Sequence, residues 1–377
     1  MMHSNTRPFG QRSGFEVPPA NIGAMRLPQD TDDAIALIRK AIDAGMRYID
    51  TSRGYGESEW IVGRALKDGY RDKVILSTKC SPWIKKVRAD DAPTADSTRR
   101  RIEESMRRLD VDYLDFYQVW NIDCREHYDA AVAEGGMVEG IQKAMQEGLV
   151  GHTGFTTHDS PENVIDYLQE ADWCEVVLFS FNLLKRMYGP AIRAAHEQGI
   201  GTIIMNPVGG GKLAAESPVF KRLADQVGAA SVDELALRYV ISQPWVTTMI
   251  NGLSKPADVD NSIAAVQKPT FTEGQLEEIE QFLDGLAKEN VGFCTACGYC
   301  LPCPQGIDIP TVLDCVYQDR FLGLKEHARR RYQGLKGPGA EVCTACGQCV
   351  DKCTQGLNVI EQMRYAREEY ESTPSDG

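Results

Sequence analysis

Eight of the twelve cysteines in this chain fall in two tight groups. The first is Cys294-x2-Cys297-x2-Cys300-x2-Cys303-Pro304, and the second is Cys343-x2-Cys346-x2-Cys349-x3-Cys353. Thiols spaced so closely suit a metal clip better than a web of disulfides across loops. A C-x2-C-x2-C loop supplies three thiolates from one turn of chain. A remote cysteine completes the four that a [4Fe-4S] cube needs, and in two-cluster ferredoxins the fourth cysteine of each run ligates the other cluster. The spacing therefore assigns Cys294, Cys297, Cys300 and Cys353 to one cluster, and Cys343, Cys346, Cys349 and Cys303 to a second. Gly298 and Gly347 follow the second cysteine of each group, where the backbone must turn tightly. Two details depart from the bacterial ferredoxin run: the first group has two residues before its last cysteine rather than three, and the second ends in Cys353-Thr354 rather than Cys-Pro. Neither removes a ligand. Two four-cysteine zinc sites are an alternative, but such sites use separated C-x2-C pairs. A single cluster with spare cysteines is another.

The rest of the chain alternates short apolar runs with longer amphipathic stretches. Expected strands are 20–25, 47–50, 74–78, 114–119, 152–155, 176–179, 201–205 and 247–251. Expected helices lie between them, with start signals at Ser160-Pro161 and at Ser231 with Glu234. Gly45 and Gly199 stand where C-terminal glycines end helices. Eight strand–helix units in about 250 residues is the size of a (β/α)8 TIM barrel. A doubly wound sheet is the alternative, and the absence of GxGxxG after the first strand favours the barrel. One more amphipathic helix, 272–289, leads into Cys294, and helical segments at 309–322 and 324–331 separate the two cysteine groups. The expected architecture is a barrel over 1–270, then a linker helix and a small α-helical ferredoxin-like two-cluster domain over 271–377.

Barrels of this kind place their chemistry at the C-terminal ends of the strands. Asp50 and Tyr55 follow the second expected strand, and Lys79 ends the third. A phenol beside an ammonium has its pKa lowered, and such a tyrosine can give or take a proton at a carbonyl or alcohol oxygen. Asp50 would pair with Lys79 and hold it. Singly, each has a bland reading: a turn cap, rim packing, a solvated lysine. Gly209 to Gly211 can bring backbone N–H groups close to a pyrophosphate or a flavin phosphate, although such a run alone reads as a flexible turn.

With these residues in place, roughly 15–265 resembles the aldo-keto reductase superfamily, and the whole chain resembles its branch with a C-terminal [4Fe-4S] domain. Asp50, Tyr55 and Lys79 match three of the family's four catalytic positions. Gly151-x-x-Gly154-Phe-Thr-Thr-His158 and Met205-Asn-Pro207-Val-Gly-Gly-Gly211-Lys212 are similar to its fifth and seventh strand-end motifs. The fourth catalytic position, a histidine in the family, is Trp120 here, and tryptophan has no useful proton to exchange. Family members that reduce a conjugated C=C bond also replace that histidine. His158 would substitute for it if its loop folded over the pocket. The resemblance implies NADP(H) or NAD(H). Thr156 matches the hydroxyl that holds the nicotinamide carboxamide, but Leu178 stands for the family's glutamine and Met205 for its stacking tyrosine. Beyond the last strand Lys255 and Asn261 remain for a phosphate, without an arginine.

A hydride carries two electrons and a [4Fe-4S] cluster takes one. The clusters are therefore structural beside a nicotinamide reaction, or a flavin splits electron pairs, or a cluster feeds single electrons to substrate while Tyr55 supplies the proton. The leading expectation is an oxidoreductase acting on a carbonyl, a hydroxyl or a conjugated double bond of a small molecule. A redox-neutral lyase or epimerase using Tyr55 and Lys79, and an electron-transfer subunit with a decayed barrel site, are the alternatives. A formal charge of −13 disfavours nucleic acid as a partner and leaves room for an electron-transfer protein. The lack of a long apolar run or a signal-peptide core implies no membrane span and a cytoplasmic location.

Overall fold

The computed structural model describes residues 6–83, 91–215, 217–289, 294, 298, 300–353 and 357–371. Its strands are β1 (Arg7–Pro8), β2 (Glu16–Val17), β3 (Ala20–Gly23), β4 (Tyr48–Asp50), β5 (Ile75–Cys80), β6 (Leu114–Ile122), β7 (Val150–Thr157), β8 (Val176–Ser180), β9 (Gly201–Met205) and β10 (Thr248–Gly252). β3 to β10 close into a parallel barrel, with β10 pairing both β9 and β3. The expected TIM barrel is therefore present. Burial on both faces explains why most of these strands read as short apolar runs rather than alternating ones. Helices follow the strands, and local chemistry starts and stops them. Asn163 N–H donates to Ser160 Oγ (3.2 Å) at the head of Pro161–Glu170. Gly45 and Gly199 take φ of 109° and 73°, which a side chain would resist.

The β1–β2 hairpin adds to the expected strands, and its two-residue strands carry no periodicity. Phe9, the first residue after β1, is fully buried. Its ring meets Tyr48 and Phe116 at 5.2 Å each, in a core shared with Val176, Leu178, Ile203 and Ile250. The hairpin thus fills the inner core that the strands enclose.

The molecule divides into two compact units. One comprises 1–210 and 236–272; the other comprises 211–235 and 273–377. In the second, Ser217 Oγ donates to Leu322 O (2.6 Å) and Gln275 Nε2 to Val227 O (2.9 Å), which tie 211–235 to the C-terminal segment. Its helices Ile309–Arg320, Lys325–Gln333 and Val359–Tyr370 enclose a core built on Val312, Val316, Ala328, Met363 and Ala366. Asp308 and Asn358 cap the first and last of these. Among the described residues no helix is long and apolar enough to cross a membrane.

Candidate active site and cysteine centre

Asp50 is the last residue of β4 and Lys79 the fifth of β5, in adjacent strands. Both are sealed from water, at 2% and 1% exposure. Lys79 Nζ donates to Asp50 Oδ1 and, at 2.9 Å, to the carbonyl of Thr51. Asp50 Oδ2 has no hydrogen-bond partner. Burial pulls the Lys79 ammonium down, but Asp50 and Tyr55 more than offset this and its pKa is raised. Burial pushes the Asp50 carboxyl up, with Lys79 pulling it part of the way back.

Tyr55 lies half-buried in the loop beyond β4, its ring centroid 4.9 Å from Lys79 Nζ. From residue types alone, the ammonium is expected to lower the phenol's pKa. In the structure desolvation is the larger effect, and the phenol is raised despite Lys79. Trp120 stands edge-on to Tyr55, with ring centroids 5.3 Å apart and planes at 79°.

Just past Trp120, β6 breaks register with β7. Val119 pairs Phe155 and Ile122 pairs Thr157, so β6 carries one extra residue, which makes a β-bulge. Asn121 sits in it with φ +65°, in the left-handed region. Its backbone N–H donates to Thr156 Oγ1 (3.2 Å), and its Nδ2 to Asp123 Oδ2 (3.0 Å). Its Oδ1 is buried and unpartnered. Thr156 itself is buried. His158, one residue beyond β7, is exposed, and its N–H donates to Ile122 O at 3.4 Å.

The other residues singled out for a nucleotide lie around the same strand ends or beyond. Met205 ends β9 and packs on the inner core that holds Leu178. Gly209 and Gly211 take φ of 60° and 96°. The N–H of Gly209 is already spent on Asn206 O (3.1 Å). Lys255 and Asn261 are exposed, at the head of and within the helix Pro256–Gln267. An arginine reaches these strand ends from a distant part of the chain. Arg26 Nη1 donates to Gly210 O (3.3 Å), and its side chain passes Gly252. A separation of 184 residues hid that contact. Asn121 was likewise not singled out, and an asparagine after an aromatic carries no signal of a bulge.

In the second unit five cysteines, Cys300, Cys303, Cys343, Cys346 and Cys349, line one pocket, with Ile307, Ile309 and Met363 as apolar wall. Thiols converging on an apolar pocket fit an iron–sulfur cube. Four of these five are the set that spacing assigns to the second cluster, and Cys300 belongs to the set assigned to the first. Cys294, Cys300 and Cys353 pack against the same core, and Cys297 lies outside the described residues. Gly298 and Gly347 take φ of 77° and 82°, so each turn is one that glycine adopts without strain.

A parallel barrel with an acid, an ammonium and a phenol gathered at its strand ends, on a chain with a cysteine-lined helical unit, defines a barrel oxidoreductase with an iron–sulfur domain. The chain belongs to the aldo/keto reductase family, whose sequence profile matches residues 20–284, and a 4Fe-4S dicluster domain profile matches 293–358. Similar proteins include the uncharacterized oxidoreductase YqkF of Bacillus subtilis, 24% identical over 300 residues, covering 71% of this chain and 93% of that one. L-galactose dehydrogenase of Arabidopsis thaliana is 26% identical over 302 residues, covering 72% and 90%. Solved structures that share the fold include two other aldo-keto reductases. A Bacillus halodurans aldo-keto reductase in its holo form has a TM-score of 0.65 at 23% identity, covering 74% of this chain and 96% of that one. A Klebsiella pneumoniae aldo/keto reductase in complex with NADP and acetate has 0.61 at 23%, covering 74% and 95%.

Proposed function

We propose that the barrel oxidises or reduces a carbonyl, a hydroxyl or a conjugated double bond of a small organic molecule, with Tyr55 as proton donor and acceptor. The observation that carries this reading is the sealed Lys79–Asp50 pair beside a half-buried phenol. Asp50 and the Thr51 carbonyl hold the ammonium, so Lys79 acts on Tyr55 as a fixed charge rather than as a proton source. Tyr55, raised by burial, keeps its proton at neutral pH and can donate it. In the reverse direction the nearby cation stabilises the phenolate. Trp120 walls the phenol on one side. His158, being exposed, is proposed as a rim residue.

For the cofactor we propose NADP(H) or NAD(H), which when bound supplies or takes the hydride. Thr156, Met205, Gly209, Gly211, Lys255 and Asn261 are the residues proposed to hold it, and Arg26 adds a cation for phosphate. The NADP in the Klebsiella pneumoniae relative supports this choice. A flavin is the competing ligand for the glycine run. The proposed functional division stays at residue 270, with two clusters in 271–377 on the thiol sets given above and an electron-transfer protein as their partner.

Anaerobic purification followed by titration with NADPH, NADH and flavins tests the reading. Binding of a nicotinamide cofactor, with turnover lost in Tyr55→Phe, is the expected result. Binding of none of the three would sink both cofactor readings. Trp120 at the family's histidine position favours a second reading, a redox-neutral lyase or epimerase. Turnover of a hydroxy-carbonyl compound without any external electron donor or acceptor would establish that one.

A further inference from the structure

Asn121 combines two costs that proteins do not carry without a return. A non-glycine residue at φ +65° stores strain, and a buried amide oxygen without a partner forfeits its hydration. Flipping the amide does not relieve the second cost. Asp123 Oδ2 is a carboxylate oxygen, an acceptor only, so the atom facing it must be Nδ2 and the unpartnered atom must be Oδ1.

The placement of this orphan acceptor is specific. Thr156 is directly opposite Leu178 across β7 and β8. Neighbours in register point to the same face of a sheet, and Leu178 belongs to the inner core, so the Thr156 hydroxyl faces the barrel interior. That hydroxyl accepts from the Asn121 N–H, which leaves its own hydrogen to donate. Joined by that bond at the ends of β6 and β7 are therefore two residues, one with an unpartnered acceptor, Asn121 Oδ1, and one with a hydroxyl hydrogen to donate, Thr156 Oγ1–H. A primary carboxamide presents the complement, an N–H donor and a C=O acceptor on one carbon.

We infer that Asn121 and Thr156 together hold the carboxamide of a nicotinamide cofactor, with Asn121 supplying from β6 the amide contact that Leu178 cannot supply from β8. This rests on the nicotinamide reading above. It explains how a chain with leucine at that place keeps carboxamide recognition, and why the strained bulge beside Trp120 is maintained.

The experiment compares cofactor affinities by anaerobic fluorescence titration, without turnover. The probes are NADPH, NADH and their 3-acetylpyridine analogues, in which a methyl group replaces the carboxamide NH2 and removes the donor. Asn121→Gly deletes the acceptor while suiting the left-handed backbone, so the variant folds. One lost hydrogen bond corresponds to roughly tenfold in Kd. The wild type should therefore prefer the carboxamide cofactor by roughly tenfold. Asn121→Gly should lose that preference, weakening the carboxamide cofactor and leaving the acetyl analogue unchanged. Thr156→Val should weaken both, because both keep the carbonyl. An Asn121→Gly protein that retains the preference overturns this inference alone. A wild type that binds neither cofactor overturns the nicotinamide reading as well.

Discussion

Replacing Lys79 by methionine should destabilise the barrel by an amount that its surroundings allow to be reckoned. The substitution keeps most of the side-chain volume, so no large cavity opens. What it removes is the donor to Asp50 Oδ1 and Thr51 O, in a place where Asp50 Oδ2 already lacks a partner. Three buried acceptors are then unsatisfied, two of them on a carboxylate at 2% exposure. Breaking one partner out of a buried pair costs about 3–5 kcal/mol. Asp50 would limit the damage by taking up a proton, since burial already pushes it up and Lys79 no longer pulls it down. A carboxyl whose folded pKa lies above its unfolded value contributes stability below the unfolded value and loses it as pH rises. The deficit of Lys79→Met should therefore shrink as pH falls toward the ordinary carboxylate range. The double variant Asp50→Leu with Lys79→Met removes both charges and should regain most of the loss, because a buried pair is often no better than an apolar replacement. Activity should return in neither. The assay is chemical denaturation followed by tryptophan fluorescence. All five tryptophans, Trp60, Trp83, Trp120, Trp173 and Trp245, lie in the barrel unit, so the signal reports that unit and not the clusters. A single variant that loses less than about 1 kcal/mol, the range of exposed pairs, would refute the reasoning. So would a double variant as unstable as the single one.

Tyr55→Phe should reduce turnover by at least about 100-fold, the low end of what a positioned proton donor contributes, with little change in thermal stability. In the reducing direction the wild-type rate should hold through neutral pH and fall only above the phenol's ordinary value of 10.0, because burial raises Tyr55; a fall below neutral pH would point to another acid. Cys349→Ser should lose one cluster and keep the other, read as half the bound iron and a simplified EPR spectrum, since spacing groups Cys349 with Cys303, Cys343 and Cys346 in one thiol set. Loss of all iron would show that the two thiol sets do not load separately. Gly154→Ala should destabilise the barrel by about 3 kcal/mol or more, because its Cβ would overlap the Val176 carbonyl across β7 and β8; near-normal stability would mean that the strands separate more easily than their register implies.

Much of the architecture was legible in the sequence because it is written in local patterns. Strands of a barrel are buried on both faces, so each reads as a short apolar run, and all eight were located to within a few residues. Helix ends were legible where a cap is a single residue, as at Ser160 and Gly199. The helix Pro218–Gln226 has an equally plain start in Ser217-Pro218 and was passed over. The hairpin β1–β2 was not legible, because what holds Phe9 is a core assembled from Tyr48, Phe116, Val176 and Ile203, distant in sequence.

For the functional residues the division follows the same physics. Cysteine spacing alone proposed the two thiol sets, since a cluster must take most of its ligands from one turn of chain. Sequence alone also put Asp50, Tyr55 and Lys79 at neighbouring strand ends, because strand order fixes which ends are adjacent. Only the tertiary structure decided the balance of forces on them. A cation beside Tyr55 can be read from residue types, but the desolvation that outweighs it depends on how completely other segments cover the site. The bulge at Asn121 is decided by the register of β6 against β7, and the reach of Arg26 to Gly210 by barrel closure. Both are relations between segments that meet only once the chain has folded.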